Sequence, residues 1–405
     1  MPGLADKLAQ ARPRVIAALA AQLRDLDLAE DAFSAACEAA LRERAPIRDP
    51  AAWLYVTARR RALDTLRKAE RETRALASQP EVDCMGDVIS FPEAIPDDRL
   101  RLLFTCCHPA IASEARIALA LRVICGVSVA RIARAFLTTK PAMYQRITRA
   151  KVKITQAKIP FETPPSREWQ FRVGAVLETL ETALSIVYRN ASGLAEETSE
   201  TAGLAPEVER LALLLTELMP REAEAHGLLA LTSLVRSREG ARVAADGAMI
   251  PLSLQDTALW DAARIEAGRA ALAMATRLRQ PGPLQTLAAI HLTHARGRGE
   301  DWTDWQAIVR LYDMLLAMRP TPVVAINRAV ALARGRDPAA GLAALDALDA
   351  QRLVDFLPFR VARADLLARA GRTGEAREEY DTALALDPEP AEALFLARQR
   401  NALSG

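Results

Sequence analysis

Residues 128–159 read SVARIARAFLTTKPAMYQRITRAKVKITQAKI, and this stretch decides how the chain folds and what it touches. Gly126 is a natural stop just past a helix, and Ser128 offers a side-chain oxygen to the first backbone donors of the next one. Ile132, Ala133 and Phe136 fall on one face at helical spacing. Leu137-Thr138-Thr139 interrupts the pattern. Thr139 can cap a second helix, with Pro141 in its first turn, where backbone N–H groups have no partner within the helix anyway. The spacing predicts a helix from about Lys140 to Ile159 with Met143, Ile147, Ala150 and Ile154 facing inward. Two helices, a three-residue turn and a small Ala133 at the closest approach predict a helix-turn-helix. The outward face of the second helix carries Tyr144, Gln145, Arg146, Thr148 and Arg149, with Lys140 and Lys151 beside them, side chains suited to base edges and phosphates.

Charge around this motif has one sign. No Asp or Glu lies between Glu114 and Glu162, whereas ten bases do: Arg116, Arg122, Arg131, Arg134, Lys140, Arg146, Arg149, Lys151, Lys153 and Lys158. An even spread of the acids would put about six of them here. Duplex DNA is the natural anionic partner, since phosphate neutralisation by Lys and Arg dominates such binding. The bland alternative is a solvated basic helix in an ordinary bundle. The net charge of +2 hides the asymmetry: residues 1–160 hold 26 Lys/Arg against 18 Asp/Glu, and residues 161–405 hold 27 against 33.

At 405 residues the chain has room for several domains with ample core. Ala and Leu dominate, aromatics are 5% and β-branched alternating runs are nearly absent, so an all-α protein is expected. The start, MPGLADKLAQARPRV, is polar and basic without an apolar core, and no apolar run reaches the ~18 residues of a membrane span. Five Cys, two of them adjacent, are not a disulfide framework and fit a reducing cytoplasm.

Residues 1–75 form a first helical block. An amphipathic helix from Asp27 to Arg42 turns Leu28, Ala32, Phe33, Ala36, Ala40 and Leu41 inward and Glu30, Asp31 and Glu38 outward. Asp49-Pro50 then starts a helix in which Trp53, Leu54, Val56, Ala62, Leu63 and Leu66 cluster inward while Arg59, Arg60, Arg61, Arg67, Lys68 and Arg71 fan outward. Residues 76–98 carry six acids, no Lys or Arg, and three prolines, the composition of a linker. It reads either as a plain tether or as an acidic strand able to occupy a basic channel. Residues 99–160 form the block that ends in the helix-turn-helix. Residues 161–285 give further amphipathic helices, interrupted near Asp246-Gly247 by a hairpin signal. Residues 286–405 repeat: Leu332 to Leu348 and Leu367 to Leu384 share helix, Gly-bearing turn and helix, and Thr286 to Pro320 is a looser copy. Such pairs must stack to bury their faces, as tetratricopeptide units do, and the stack offers a concave surface to a protein partner. Packing alone also explains the period.

Chemistry-bearing clusters are sparse. Cys106-Cys107-His108 has metal-ligand residue types but no second pair at zinc spacing, and Cys84 and Cys125 are unpatterned. His291 and His294 stand at i, i+3 with no evident third ligand. No Gly-rich phosphate loop, nucleophile elbow or carboxylate pair is present. No metal, cofactor or catalytic activity is expected.

Two DNA-directed blocks joined by an acidic linker resemble a bacterial RNA polymerase sigma factor of the extracytoplasmic-function type. DLDLAEDAFSAACEAALRE followed by DPAAWLYVTARRRALDTLRK resembles region 2 of that family, and RIARAFLTTKPAMYQRITRAKVKI resembles its region 4. DDRLRLLFTCCHPAI, RVAADGAMIPLSLQDTALWD and PVVAINRAVALA resemble the subgroup with a long C-terminal helical extension. The resemblance implies an all-α chain of two sigma domains plus extension. It implies that Asp27, Glu30, Asp31 and Glu38 dock on the β′ clamp helices of core RNA polymerase, and that Arg59, Arg60, Arg61, Arg67 and Lys68 hold the melted −10 strand, with Trp53 in the core. It further implies that Lys140, Tyr144, Gln145, Arg146, Thr148, Arg149 and Lys151 meet the −35 element of promoter DNA near the β flap. The linker would thread toward the RNA channel, and the extension would be needed for activity. Three positions depart from the family pattern. Arg60 stands where Asn is common, Leu137 replaces the turn Gly, and LETALSIVYRNASG keeps only Tyr188 of a Phe-Asn-Glu-Gly-Tyr motif. Two other readings remain: a free-standing DNA-binding regulator whose repeats bind a ligand or protein, and a repeat scaffold with a solvated basic face.

Overall fold

Asp25 starts the second helix of the chain by accepting a hydrogen bond from the Leu28 backbone N–H at 3.0 Å. That helix, α2 (Leu26–Arg42), buries Leu26, Ala29, Ala32, Phe33, Ala36 and Ala40 against α1 (Leu4–Leu23) and α3 (Pro50–Arg74). The Asp49-Pro50 start of α3 forms as expected, with Asp49 Oδ1 accepting from the Ala51 and Ala52 N–H groups at 3.0 and 3.1 Å. Buried Ala17, Ala20, Ala36, Ala58 and Ala62 let the three helices approach closely. Two apolar positions differ from the sequence reading: Leu41 is 65% exposed and Leu66 40%. Both keep helical spacing, but they sit at the uncovered ends of their stripes, and Tyr55 instead joins Leu54 in the core of α3.

The computed structural model describes residues 4–43, 47–74, 95–123, 126–136, 138–161, 166–190, 204–296, 303–348 and 353–403. Most of the acidic linker therefore lies outside the described residues, as do Leu137 and the side chain of Tyr188. The chain divides into two compact units, residues 1–186 with 197–211 and residues 187–196 with 212–405. The fold is all-α; an isolated bridge between Val243 and Met249 is the one β pairing among the described residues. No helix among them is long and apolar enough to cross a membrane.

In the first unit α4 (Ile95–Cys106), α5 (Ser113–Val123), α6 (Val129–Ala135) and α7 (Lys140–Gln156) follow the three-helix module, and α4 packs on α1. Helix α4 opens at Ile95 with Pro96 in its first turn, so the last positions of the 76–98 segment are helical. Helix α8 (Ser166–Asn190) is bolted to α4. Arg172 Nη1 donates to the Phe104 carbonyl at 3.4 Å, and the Thr179 hydroxyl lies 3.7 Å from Cys107 Sγ. Burial pushes the Cys107 thiol up to about 12, with the Thr179 hydrogen bond working against that rise. Helix α9 (Leu204–Leu218) follows, and the boundary between the two units falls within it, after Leu211.

The second unit is built around α10 (Ala223–Arg236), buried along nearly its whole length as an all-round apolar helix must be. It packs on α11 (Ala262–Arg277) and α12 (Pro283–Arg296). Glu224 of α10 reaches the start of α12 and accepts from the Leu284 and Gln285 backbone N–H groups at 2.9 and 3.2 Å, which supplies a cap from 60 residues away. The hairpin expected at Asp246-Gly247 forms as a short turn: Ala244 N–H donates to the Ala248 carbonyl at 2.9 Å, and Gly247 has φ +83°. Helix pairs follow, α13 (Trp305–Met318) with α14 (Pro322–Gly335), then α15 (Pro338–Asp346), α16 (Leu357–Arg369), α17 (Thr373–Ala385) and α18 (Pro390–Ala402). Thr321 before Pro322 and Asp337 before Pro338 cap their helices through side-chain oxygens, the same device as at Asp49-Pro50.

Two predictions follow from this packing. A Cβ at Gly341 would stand 2.6 Å from Ala333 Cβ and 2.7 Å from the Ala329 carbonyl, both on the facing helix. Gly341→Ala should therefore destabilise the second unit by about 1–3 kcal/mol, measured by urea unfolding. The second concerns His291 and His294. Arg238 Nη2 donates to His291 Nδ1 at 2.9 Å, which fixes that ring as the neutral tautomer. Burial first, and then Arg238, hold both imidazoles below their ordinary range, His294 at about 4. The unfolded chain takes up these protons near pH 6.5 and the folded chain does not. Stability of the second unit should thus be full above about pH 6.5 and fall as the pH drops toward 4, and His294→Gln should flatten that slope in urea titrations run at each pH.

Candidate nucleic-acid interface

Thr139 begins α7 by accepting from the Ala142 N–H at 3.4 Å, and Pro141 occupies the first turn. Met143, Ile147, Ala150 and Ile154 are buried, the inward set that the spacing predicts. The helix rests on α5 and α6, where Ile132 and Ala133 are buried and the Thr138 N–H closes the turn on the Ala133 carbonyl at 2.9 Å. Gly126 takes φ +67°, the left-handed conformation that ends the preceding segment without a Cβ clash.

This burial sorts the remaining side chains of α7 into two stripes. Lys140, Tyr144, Gln145, Thr148 and Arg149 are exposed, Tyr144 by 65%. The Thr148 hydroxyl donates to its own helix at the Tyr144 carbonyl, 3.0 Å away. Gln145, Arg146, Arg149 and Lys153 border a depression of about 390 Å³ whose far wall is Ala110–Ala112. Arg146 pairs across it with Glu114 at 2.8 Å. Lys153 is one of the ten bases of the acid-free stretch but not one of the residues assigned to DNA from the sequence, although Gln145, Arg149 and Lys153 follow one another at i, i+4. The depression, with two Arg and a Lys on its rim, has the charge and the donors to hold a phosphate backbone.

Lys151 belongs to the other stripe. Its ammonium lies between Asp27 Oδ1 at 2.8 Å and Glu30 Oε2, with which it forms a short ion pair, and its side chain is 13% exposed. Glu30, itself 14% exposed, also accepts from Arg12 Nη2 at 2.6 Å and lies 3.7 Å from Arg122 Nε. Burial works against the Lys151 charge, but the Glu30 and Asp27 carboxylates outweigh it and hold the group above its ordinary range. Burial and then Arg122 lower the Arg12 guanidinium, which also covers the face of Phe33 at 5.6 Å. The structure therefore joins three residues that the sequence assigned to different partners. In this arrangement Lys151 faces α2 and not solvent, and Glu30 is enclosed by cations.

On α2 the remaining acids are open: Asp31 is exposed, and Glu38 is exposed and pairs one turn on with Arg42 at 3.5 Å. On α3, Arg60, Arg61, Arg67 and Lys68 are exposed. Arg59 is different, because its Nε donates to Gln22 Oε1 at 3.2 Å, an acceptor shared with the Tyr55 hydroxyl at 3.1 Å. Trp53 is half-buried. Cys106 and Cys107 are fully buried, and His108 Nδ1 accepts from the Ala110 N–H at 3.1 Å.

Comparison with known proteins matches residues 8–72, which span α1 to α3, to sigma-70 region 2. Residues 172–276, from α8 through α11, match a family of unknown function (DUF6596). The chain is 40% identical to an uncharacterized protein of Rhizobium meliloti (strain 1021), over 98% of this chain and 95% of that one.

The ion-pair cluster makes a sharp contrast between two neighbouring acids. Glu30→Ala leaves Arg12, Arg122 and Lys151 facing one another without their shared anion. It should cost the first unit about 3–5 kcal/mol in urea unfolding, whereas Asp31→Ala, at an exposed site, should stay within about 0.5 kcal/mol.

Proposed function

This chain belongs to the sigma-70 family, and on that premise we propose that it is a sigma factor of the extracytoplasmic-function type, a non-enzymatic subunit that directs core RNA polymerase to promoters. The observation that carries the reading is the region 2 match on α1–α3, a module whose α3 presents an exposed basic face beside the acids of α2. A free-standing operator binder has no use for a module of that kind.

In this reading Asp27, Glu30, Asp31 and Glu38 meet the β′ clamp helices, and Arg60, Arg61, Arg67 and Lys68 contact phosphates of the melted −10 strand, with Arg59 braced by Gln22. Helix α7 is the recognition helix of a helix-turn-helix. Gln145, Arg146 and Arg149 reach base edges and phosphates of the −35 element, Lys153 adds a phosphate contact, and Tyr144 packs beside them. Glu30 and Lys151 satisfy each other in the arrangement described, so engaging polymerase and promoter together exchanges that internal pair for external ones. A phosphate replaces the carboxylate for Lys151, and clamp cations replace Lys151 for Glu30. The C-terminal helix pairs are tetratricopeptide-like and modulate this exchange, in the cytoplasm where core polymerase works.

Run-off transcription tests the proposal. Core polymerase with the chain and a cognate promoter should yield transcript, and Arg60→Ala with Arg61→Ala should reduce it while leaving core binding in pull-down intact. Duplex binding without core binding or transcript would overturn the sigma reading in favour of a free-standing regulator. For the −35 contact, Arg149→Ala should lower the salt slope of duplex binding by ~0.9, one phosphate's share, measured by anisotropy over a salt series.

A further inference from the structure

The second unit holds a cavity of about 310 Å³, within the size range of small-molecule sites. Its floor comes from α13 and α14, and its rim from the short turns that connect α10 to α11. Trp305 and Tyr312 supply flat apolar walls together with Ile308 and Val330. Packing does not require the polar groups that share this space. Gln255 is pinned by its Nε2, which donates to the Ile250 carbonyl at 3.0 Å, and its Oε1 is a buried acceptor with no hydrogen-bond partner. Trp260 Nε1 is likewise a buried donor with no partner. Buried polar groups of native proteins are nearly always satisfied; these two atoms, on residues that line one cavity but with almost no accessible surface of their own, point to a ligand that reaches them through a small shift of the two side chains.

Charge fixes the class of that ligand. Arg334 lines the cavity with a side chain only 11% exposed, its guanidinium lying 5.9 Å over the Trp305 ring and 3.9 Å from Asp365. Among the described residues of the lining there is no Asp or Glu, and Arg334 gives it a positive charge, which favours an anionic ligand in this aromatic enclosure. His294 meets Trp305 edge-on at 5.3 Å and is held neutral by burial and by Arg238. We propose that this cavity binds a small aromatic carboxylate bearing a hydroxyl or amino donor, its ring against Trp305 and Tyr312, its carboxylate on Arg334 and Trp260 Nε1, and its donor on Gln255 Oε1. The site stands on the second unit alone and does not depend on the proposed role in transcription.

The test is calorimetry on the full chain with salicylate, anthranilate and 4-hydroxyphenylacetate, each against its own carboxamide. At least one acid should bind with a Kd of about 1 mM or tighter, and its amide about tenfold or more weaker. Arg334→Gln should weaken the acid by about tenfold, and Arg334→Lys by less. Trp260→Phe keeps the ring and removes the N–H, so it should cost the acid several-fold with the thermal transition unchanged. If no acid binds at millimolar concentration, if acid and amide bind alike, or if Trp260→Phe and both Arg334 variants bind like the parent chain, the assignment fails. Run-off transcription read separately keeps that failure apart from a failure of the sigma reading.

Discussion

One carboxylate organises the first unit. Glu30 on α2 gathers Arg12 from α1, Arg122 from α5 and Lys151 from α7. A cation taken out of water must find an anion or lose its charge, and the 47 positions after Glu114 contain none. Their buried cations therefore have to reach another part of the chain, and the acids of α2 are where they go. This requirement ties α5 and α7 to the three-helix module, alongside the packing of α4 on α1 and α5. It also decides which side of α7 is left for other partners. With Lys151 drawn toward α2, the stripe of Gln145, Arg149 and Lys153 faces away.

The same chemistry bears on the proposed binding to a promoter. To Lys151, the Glu30 carboxylate and a DNA phosphate are similar ligands, each an oxyanion accepting charge-assisted hydrogen bonds. Under the proposed role, opening the first unit around a promoter would exchange like for like at Lys151. Arg146 and Glu114 repeat this on a smaller scale at the rim of the depression.

Local rules made much of this legible in the sequence. Caps and helix starts at Asp49-Pro50, Thr139 and Asp337-Pro338 depend on residues within one turn, so the order of residues is enough to find them. The buried stripe of α7 followed from spacing alone. Leu41 and Leu66 show the limit of that reasoning, since periodicity gives the face but not how far a neighbouring helix extends over it. The partner of Lys151 was beyond reach for a different reason: it lies 121 residues away, and an acid-free stretch shows only that its counterions are elsewhere. The cavity of the second unit was equally hidden, because Gln255 and Trp260 come from short turns with no period to read.

The division at residue 160, natural from the prolines that follow it, cuts through a core. Helix α8 lies after those prolines, yet its Val173, Val176, Leu180 and Ala183 are buried, Arg172 binds the Phe104 carbonyl, and Thr179 meets the fully buried Cys107. The Thr105 hydroxyl donates to the Pro160 carbonyl at 3.0 Å, so even the connecting segment is tied down. A chain ended at residue 160 would expose the underside of α4, and α4 is the helix that packs α1 against the α5–α7 segment. The beginning of the extension is thus a structural part of the unit that carries both basic faces.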